Sequence, residues 1–206
     1  QYPQAYGHLY RLRDSILQTG KLTYTTKFPW RIRIIRDDST LNAFCAPGGY
    51  IYVYTGLIKY LRTEAQLIGV LGHEMAHADR RHTTQILTQA YGLQTLIQLI
   101  SGQEQPGLIG QIASSLLLLS FSRDHERDAD KHSVIYLCPT TYRADGAADF
   151  FEYITQQGGL RPPAFLSTHP DPGERVQNIR SLKQELGCTG TQDYEPRYAQ
   201  LVASLP

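Results

Sequence analysis

The sequence predicts an α+β fold, mainly helical with one small sheet, and three observations carry that expectation. Apolar residues recur at helical spacing through most of the chain. Extended, alternating runs are confined to residues 30–54. The length of 206 residues, with 41% hydrophobic content, suffices for one buried core and not for two. No repeat, low-complexity tract or linker divides the chain, so a single domain over residues 1–206 is expected.

Taken in order, residues from about Gln4 to Gln18 place Leu9, Leu12, Ile16 and Leu17 on one helical face, with Gly20 as a stop. Trp30 to Arg36 alternates apolar and basic residues as a strand does. Leu41 to Ala46 and Tyr50 to Tyr54 are extended runs either side of Pro47-Gly48-Gly49, which reads as a hairpin. Thr63 is placed to cap a helix over Glu64 to Ala78, with Glu64 favourable in the first turn and Leu67, Val70, Leu71 and Met75 on its apolar face. Further helical patterns cover about Thr83 to Ile100, Leu108 to Leu119, Asp124 to Leu137, Ala144 to Gln156 and Pro172 to Leu186. Gly102 to Gly110 and Gly158 to Pro163 read as loops, and residues 187–206 as a C-terminal tail.

Bulk properties exclude some classes of partner. A net charge of +1, from 20 basic and 19 acidic residues, gives no general attraction to nucleic acid or to an anionic membrane. The longest apolar run, Leu108 to Phe121, is broken by Gln111, Ser114 and Ser115 and is too short to span a bilayer. No basic segment followed by an apolar one opens the chain, so an export signal is expected to have been removed or never present. The three cysteines are too few and too far apart for a disulfide framework. If one bridge forms, Cys138 and Cys188 are the expected pair, because each follows a predicted helix end and the bond would tie down the C-terminal segment.

The chemistry concentrates in His73-Glu74-Met75-Ala76-His77, where two histidines one helical turn apart face the same side with a glutamate beside them. Two imidazoles at that spacing can hold one zinc ion, and the carboxylate can take a proton from an attacking water without being a ligand. A catalytic zinc needs a third protein ligand, which a second helix must supply. Glu126 is the candidate, with Asp130 one turn further on and Ala129 small enough to let two helices approach. In this reading Glu126 binds the metal, Asp130 accepts the outer ring N–H of a ligand histidine, and Glu74 is the general base. The competing account is a chance grouping, with the histidines packed in a core or facing solvent.

These residues resemble the gluzincin peptidases, the family that includes HtpX, the BepA-like envelope proteases, the mitochondrial Oma-type proteases and the CAAX prenyl proteases. The similarity runs through Asn42-Ala43-Phe44 with Pro47-Gly48-Gly49, Tyr52 to Leu57, Val70 to His82, Ser122 to Asp130 and Ser167 to Arg175, a core of about residues 30–182. It implies a zincin-type metallopeptidase domain with one zinc per chain. It also implies that Leu41 to Ala46 is the edge strand lining the cleft, where Asn42, Ala43 and Phe44 would bind an extended protein or peptide substrate through the backbone. His169 and Arg175 are implied to lie over the metal, His169 as an oxyanion stabiliser or as a fourth ligand that holds the enzyme latent.

The activity implied is a zinc endopeptidase acting on unfolded or misassembled envelope proteins, in a bacterial periplasm ahead of a mitochondrial envelope. The alternative is a chaperone or assembly factor with a latent zinc site. Cys45 and His125 depart from the residues usual at their positions, and the sequence has neither the tetratricopeptide repeats nor the membrane helices of some members, so contacts with envelope partners do not carry over. Outside these blocks, His82 reads as a structural or capping residue, and His8, His125 and His132 as ordinary ones. Cys45 reads as packing against the sheet. The Gly102 to Gly110 loop and the His169 segment are expected to gate the cleft.

Overall fold

The computed structural model describes residues 2–94, 116, 120–156, 164–170 and 172–205. Helix α1 (Pro3–Leu17) precedes a sheet of β1 (Arg31–Ile35), β2 (Ala43–Ala46) and β3 (Tyr50–Tyr54). The helices α2 (Thr55–Tyr60), α3 (Glu64–Asp79), α4 (His82–Tyr91), α5 (Arg123–Leu137), α6 (Gly146–Gln156), α7 (Ala164–Thr168), α8 (Pro172–Glu185) and α9 (Glu195–Ala203) follow. The mainly helical α+β class read from the periodicities holds.

The sheet order is β1-β3-β2, with β1 parallel and β2 antiparallel to β3. Gly48 and Gly49 turn the β2–β3 hairpin with φ of 87° and 81°, values that side chains with a β-carbon disfavour. At Gly49 a β-carbon would also meet Phe28 at 2.9 Å. Strand alternation sends Ile32, Ala43, Cys45, Ile51 and Val53 into the core.

Helix α3 lies at the centre, packed against α5, α6 and the inner face of the sheet. Two of its glycines set the spacing. A β-carbon at Gly69 would come within 2.5 Å of the Ala147 backbone nitrogen on α6, and one at Gly72 within 2.8 Å of Ser133 Oγ on α5. The Ser133 hydroxyl donates to the Gly69 carbonyl at 3.0 Å, so α5 is held to α3 by a hydrogen bond as well as by contact. Ala129, expected to permit close approach, is fully buried one turn earlier on α5.

Three helices were not expected from the sequence, and each has a physical reason. Helices α2 and α7 have only six and five residues, too short for a period to show. The presumed tail contains α9, which buries Tyr198 and Leu201 on a single turn of apolar spacing and fixes the Tyr198 hydroxyl to the Ile58 carbonyl at 2.5 Å. That end of the chain is therefore part of the packed body, and Cys138 and Cys188 join in a disulfide that ties it to the end of α5. The helix expected over Thr83 to Ile100 ends at Tyr91, because Gly92 takes φ of 79° and stops it. Residues 95–100, the helix over Leu108 to Leu119 apart from Leu116, and the two expected loops fall outside the described residues. Among the described residues no helix is long and apolar enough to cross a membrane.

The close approach at Gly69 yields a direct test. Gly69→Ala is expected to lower the unfolding free energy by about 1–3 kcal/mol through overpacking. Gly7→Ala, where a β-carbon meets nothing within 4 Å on an exposed face of α1, should raise it by about 0.5–1 kcal/mol. Equal effects of the two substitutions in urea unfolding would show that α3 and α6 are not fixed by contact at this point.

Candidate metal centre

Thr63 caps α3 as expected, accepting from Gln66 N at 3.2 Å. Every residue from Leu67 to Asp79 is then buried, so the polar side chains in that stretch must be satisfied by protein. Asp79 is satisfied at the far end by the backbone N–H groups of Thr23 and Tyr24 and by the Tyr136 hydroxyl. At the near end Glu64, also buried, meets Arg11, Arg197 and the Tyr142 hydroxyl. Between them stand His73, Glu74 and His77.

His73 and His77 turn Nε2 toward each other at 3.0 Å. Glu126 arrives from the first turn of α5, where Ser122 caps the helix. Its Oε2 lies 3.5 Å from His73 Nε2, and its Oε1 lies 3.3 Å from His77 Nε2. His169 follows α7 and brings Nδ1 to 3.0 Å from Glu126 Oε1 and 3.3 Å from His73 Nε2. Four donor atoms, one from each residue, lie within 4.8 Å of one another, and all four side chains are buried.

These separations fit a metal ion. A tetrahedral zinc with bonds of about 2.0–2.1 Å to nitrogen and oxygen places its ligand atoms about 3.3–3.4 Å apart. Five of the six separations, 3.0–3.5 Å when both Glu126 oxygens are used, bracket that edge length, and the four donor atoms as a set lie within 4.8 Å. The charges fit as well. Glu74, Glu126 and Asp130 are buried carboxylates facing one buried guanidinium, Arg175, and a divalent cation would balance the remainder. In the metal-free chain His73 opposes part of this charge: burial disfavours its protonation, but Asp130 and Glu126 outweigh burial and lift it to about 9. Burial and the neighbouring His73 push His77 the other way, well below its ordinary value.

Around this centre, Asp130 Oδ1 is 2.9 Å from His73 Nδ1. Arg175 forks onto both Asp130 oxygens at 2.6 and 2.8 Å and places its third nitrogen 2.6 Å from Glu126 Oε2, an ion pair without hydrogen-bond alignment. The guanidinium lies over the Phe151 ring at 4.1 Å. Glu74 differs from its neighbours: both its oxygens are buried and lack a hydrogen-bond partner among the described residues, and burial pushes its carboxyl above the ordinary range. The nearest ring nitrogen, His169 Nε2, is 3.4 Å away. His169 itself is stacked on Phe165 at 4.3 Å and on Phe121 at 5.2 Å.

The structure thus brings His73, Glu74, His77, Glu126, Asp130, His169 and Arg175 together. Asn42, Ala43 and Phe44 are buried on and beside β2, an edge strand of the sheet, and Phe44 lines a small pocket together with Cys45, Thr83, Phe121 and His169. Cys45 packs as expected, its sulfur 3.0 Å from Thr83 Oγ1. Phe165 lies one helical turn before His169, whereas Phe121, 48 positions earlier, has no local signal, and sequence reasoning gave no part to either. It also missed Asp128, and it read His82 as a structural or capping residue; His82 Nδ1 lies 3.1 Å from His77 Nδ1.

The fold and this centre define a metallopeptidase. Residues 10–183 match the model of peptidase family M48, and the chain belongs to that family. Among its relatives, the mitochondrial metalloendopeptidase OMA1 of Arabidopsis thaliana is 32% identical over 147 residues, covering 71% of this chain and 30% of OMA1. The beta-barrel assembly-enhancing protease of Escherichia coli K12 is 27% identical over 188 residues, covering 84% of this chain and 38% of that protein. The metalloprotease YcaL of the same strain is 29% identical over 148 residues, covering 69% of this chain and 58% of YcaL. The chain spans less than half the length of the OMA1 and assembly-enhancing relatives.

Arg175 is the only guanidinium among the described residues in contact with the buried carboxylates of the centre. Arg175→Met is therefore expected to destabilise the metal-free protein by about 3–5 kcal/mol, the cost of stranding a buried charge. Denaturant unfolding in chelator measures it, and a loss below about 1 kcal/mol would mean that the carboxylates are compensated elsewhere.

Proposed function

We propose that this chain is a zinc endopeptidase in which Glu74 is the general base, with the metal held by His73, His77 and Glu126. The observation that carries the proposal is the Glu74 carboxylate, buried and without a hydrogen bond among the described residues beside the four-residue cluster. A buried carboxylate without partners costs stability, and a fold keeps one where its proton affinity is used. When bound, zinc supplies Lewis acidity toward the scissile carbonyl and lowers the pKa of a water near it. Glu74 takes the proton of the attacking water and returns it to the leaving amine, so no covalent intermediate is needed. Asp130 holds His73 in the tautomer that frees Nε2, and Arg175 fixes Asp130 and Glu126.

His169 supports a latent resting state. With Nδ1 in the cluster and Nε2 toward Glu74, it fills the position that substrate and water need. Its segment also occupies part of the cleft edge. Asn42 bonds to Tyr54 across the hairpin, so alternation points the backbone groups of Leu41, Ala43 and Cys45 outward. The Leu41 carbonyl accepts from Phe165 N–H at 3.0 Å, and the Thr168 carbonyl accepts from Phe121 N–H at 3.0 Å. Movement of α7 would withdraw His169 and release Leu41 in one step, opening a strand edge to an extended, unfolded polypeptide. Likeness to the assembly-enhancing proteases supports our proposal that this activity serves the bacterial envelope, with misassembled envelope proteins as substrates. The same occupancy of the cluster by His169 favours the second reading, a chaperone or assembly factor that keeps its zinc latent.

Cleavage of fluorescently labelled casein by the parent, His169→Ala and the double variant Glu74→Gln/His169→Ala separates these. Removing His169 is expected to raise the rate, and adding Glu74→Gln is expected to reduce it by about 10²–10⁴-fold with zinc retained. A double variant as fast as His169→Ala would remove Glu74 from the mechanism, and three inactive zinc-loaded proteins would favour the chaperone.

A further inference from the structure

The two ligand histidines are held from behind by different devices. His73 meets a carboxylate directly, at Asp130. The Nδ1 of His77 instead faces Nδ1 of His82 at 3.1 Å, and His82 Nε2 lies 3.1 Å from Asp128 Oδ2. Asp128 is in turn fixed by Arg80 Nε at 3.0 Å and has His132 Nδ1 at 3.3 Å. The His82 ring is buried and stacks on His125 at 4.5 Å, which sets its plane.

We infer that His82 is a positioning residue of the metal centre: its Nδ1 accepts the outer N–H of His77 and thereby fixes the tautomer and ring plane in which His77 offers Nε2 to zinc. The inference rests on the zinc reading above. A ring nitrogen that binds metal carries no proton, so a neutral His77 with Nε2 in the cluster carries its proton on Nδ1. That N–H is fully buried and needs an acceptor. The His82 Nδ1 lone pair is placed to provide one, which puts the proton of His82 on Nε2, facing the Asp128 carboxylate. The opposite tautomer of His82 would set two N–H groups against each other and turn a lone pair toward the carboxylate. One direction of hydrogen bonds therefore satisfies the whole row from His77 to Asp128.

The backbone supports the same assignment. Arg81 joins α3 to α4 with φ of 65°, a left-handed conformation that residues with a β-carbon seldom adopt. That turn makes His82 the first residue of α4 and returns its ring to His77, five positions earlier. Strain at this junction is explained if the return contact matters to the centre.

The test is long-range ¹H–¹⁵N correlation spectroscopy on the histidine rings of the zinc-loaded parent, with zinc affinities of His82→Phe and His82→Asn measured by chelator competition. His82 should appear as the Nε2–H tautomer with an unprotonated Nδ1, and His77 with Nδ1 protonated. His82→Phe should bind zinc about 10–100-fold more weakly. His82→Asn, which keeps an acceptor near the Nδ1 position, should recover most of that loss. An Nδ1–H or doubly protonated His82, or a His82→Phe variant that binds as tightly as the parent, would overturn the inference. Histidine signals unmoved by zinc in the parent would instead overturn the zinc reading, and this inference with it.

Discussion

Helix α3 is buried along nearly its whole length, and that burial obliges each polar side chain it carries to find a partner within the protein. An unpaired buried polar group costs about 1–3 kcal/mol, so a helix with Glu64, His73, Glu74, His77 and Asp79 can sit at the centre only if its neighbours are built to meet them. Much of the architecture answers that demand. Helices α1 and α9 bring arginines to Glu64, the loop after α1 caps Asp79, and α5 brings Asp130 and Glu126 to the histidines. Gly69 and Gly72 let α6 and α5 come close enough for these contacts to form.

The site is a consequence of where that satisfaction stops. His73 and His77 have partners on their outer nitrogens and converge on the inner ones, and Glu74 has none. Pairing on the outside fixes tautomers and ring planes, which leaves the inner lone pairs aimed at one point. The residual negative charge of three carboxylates against Arg175 then favours a cation at that point. The Phe165 and Phe121 rings place His169 in the same cluster, so the chain holds a closed arrangement in which the four-residue set is already assembled.

How much of this was legible in the sequence follows from the range of each signal. His73, Glu74 and His77 sit on one helix with strong apolar spacing, and Glu126 and Asp130 on another, so helical geometry alone places each pair on a face. The mainly helical class and the hairpin at Pro47-Gly48-Gly49 were legible for the same reason. What the sequence hid depends on turns and tertiary approach. Arginine carries no preference for the left-handed turn at Arg81, so nothing local marked His82 as returning to His77. Of the aromatic clasp on His169, Phe165 sits one turn away on the same segment, but Phe121 is more than forty positions distant. The segment of helix α9 and the residues just after it carries Tyr198, Leu201, Val202 and Leu205 at helical spacing behind Glu195-Pro196, a signal too short to outweigh the reading as a tail until the Ile58 carbonyl is seen to receive the Tyr198 hydroxyl.

In the proposed enzyme a zinc ion sits among His73, His77 and Glu126, with His169 closing the set at rest. X-ray absorption at the zinc edge, with metal content measured on the same sample and on Glu126→Gln, tests it most directly. About one zinc per chain is expected, with nitrogen and oxygen neighbours at about 2.0–2.1 Å, multiple-scattering features of imidazole, and loss of most of the metal in the variant. A chain that stays free of zinc after refilling, or a sulfur neighbour at about 2.3 Å that brings Cys45 onto the metal, would contradict it.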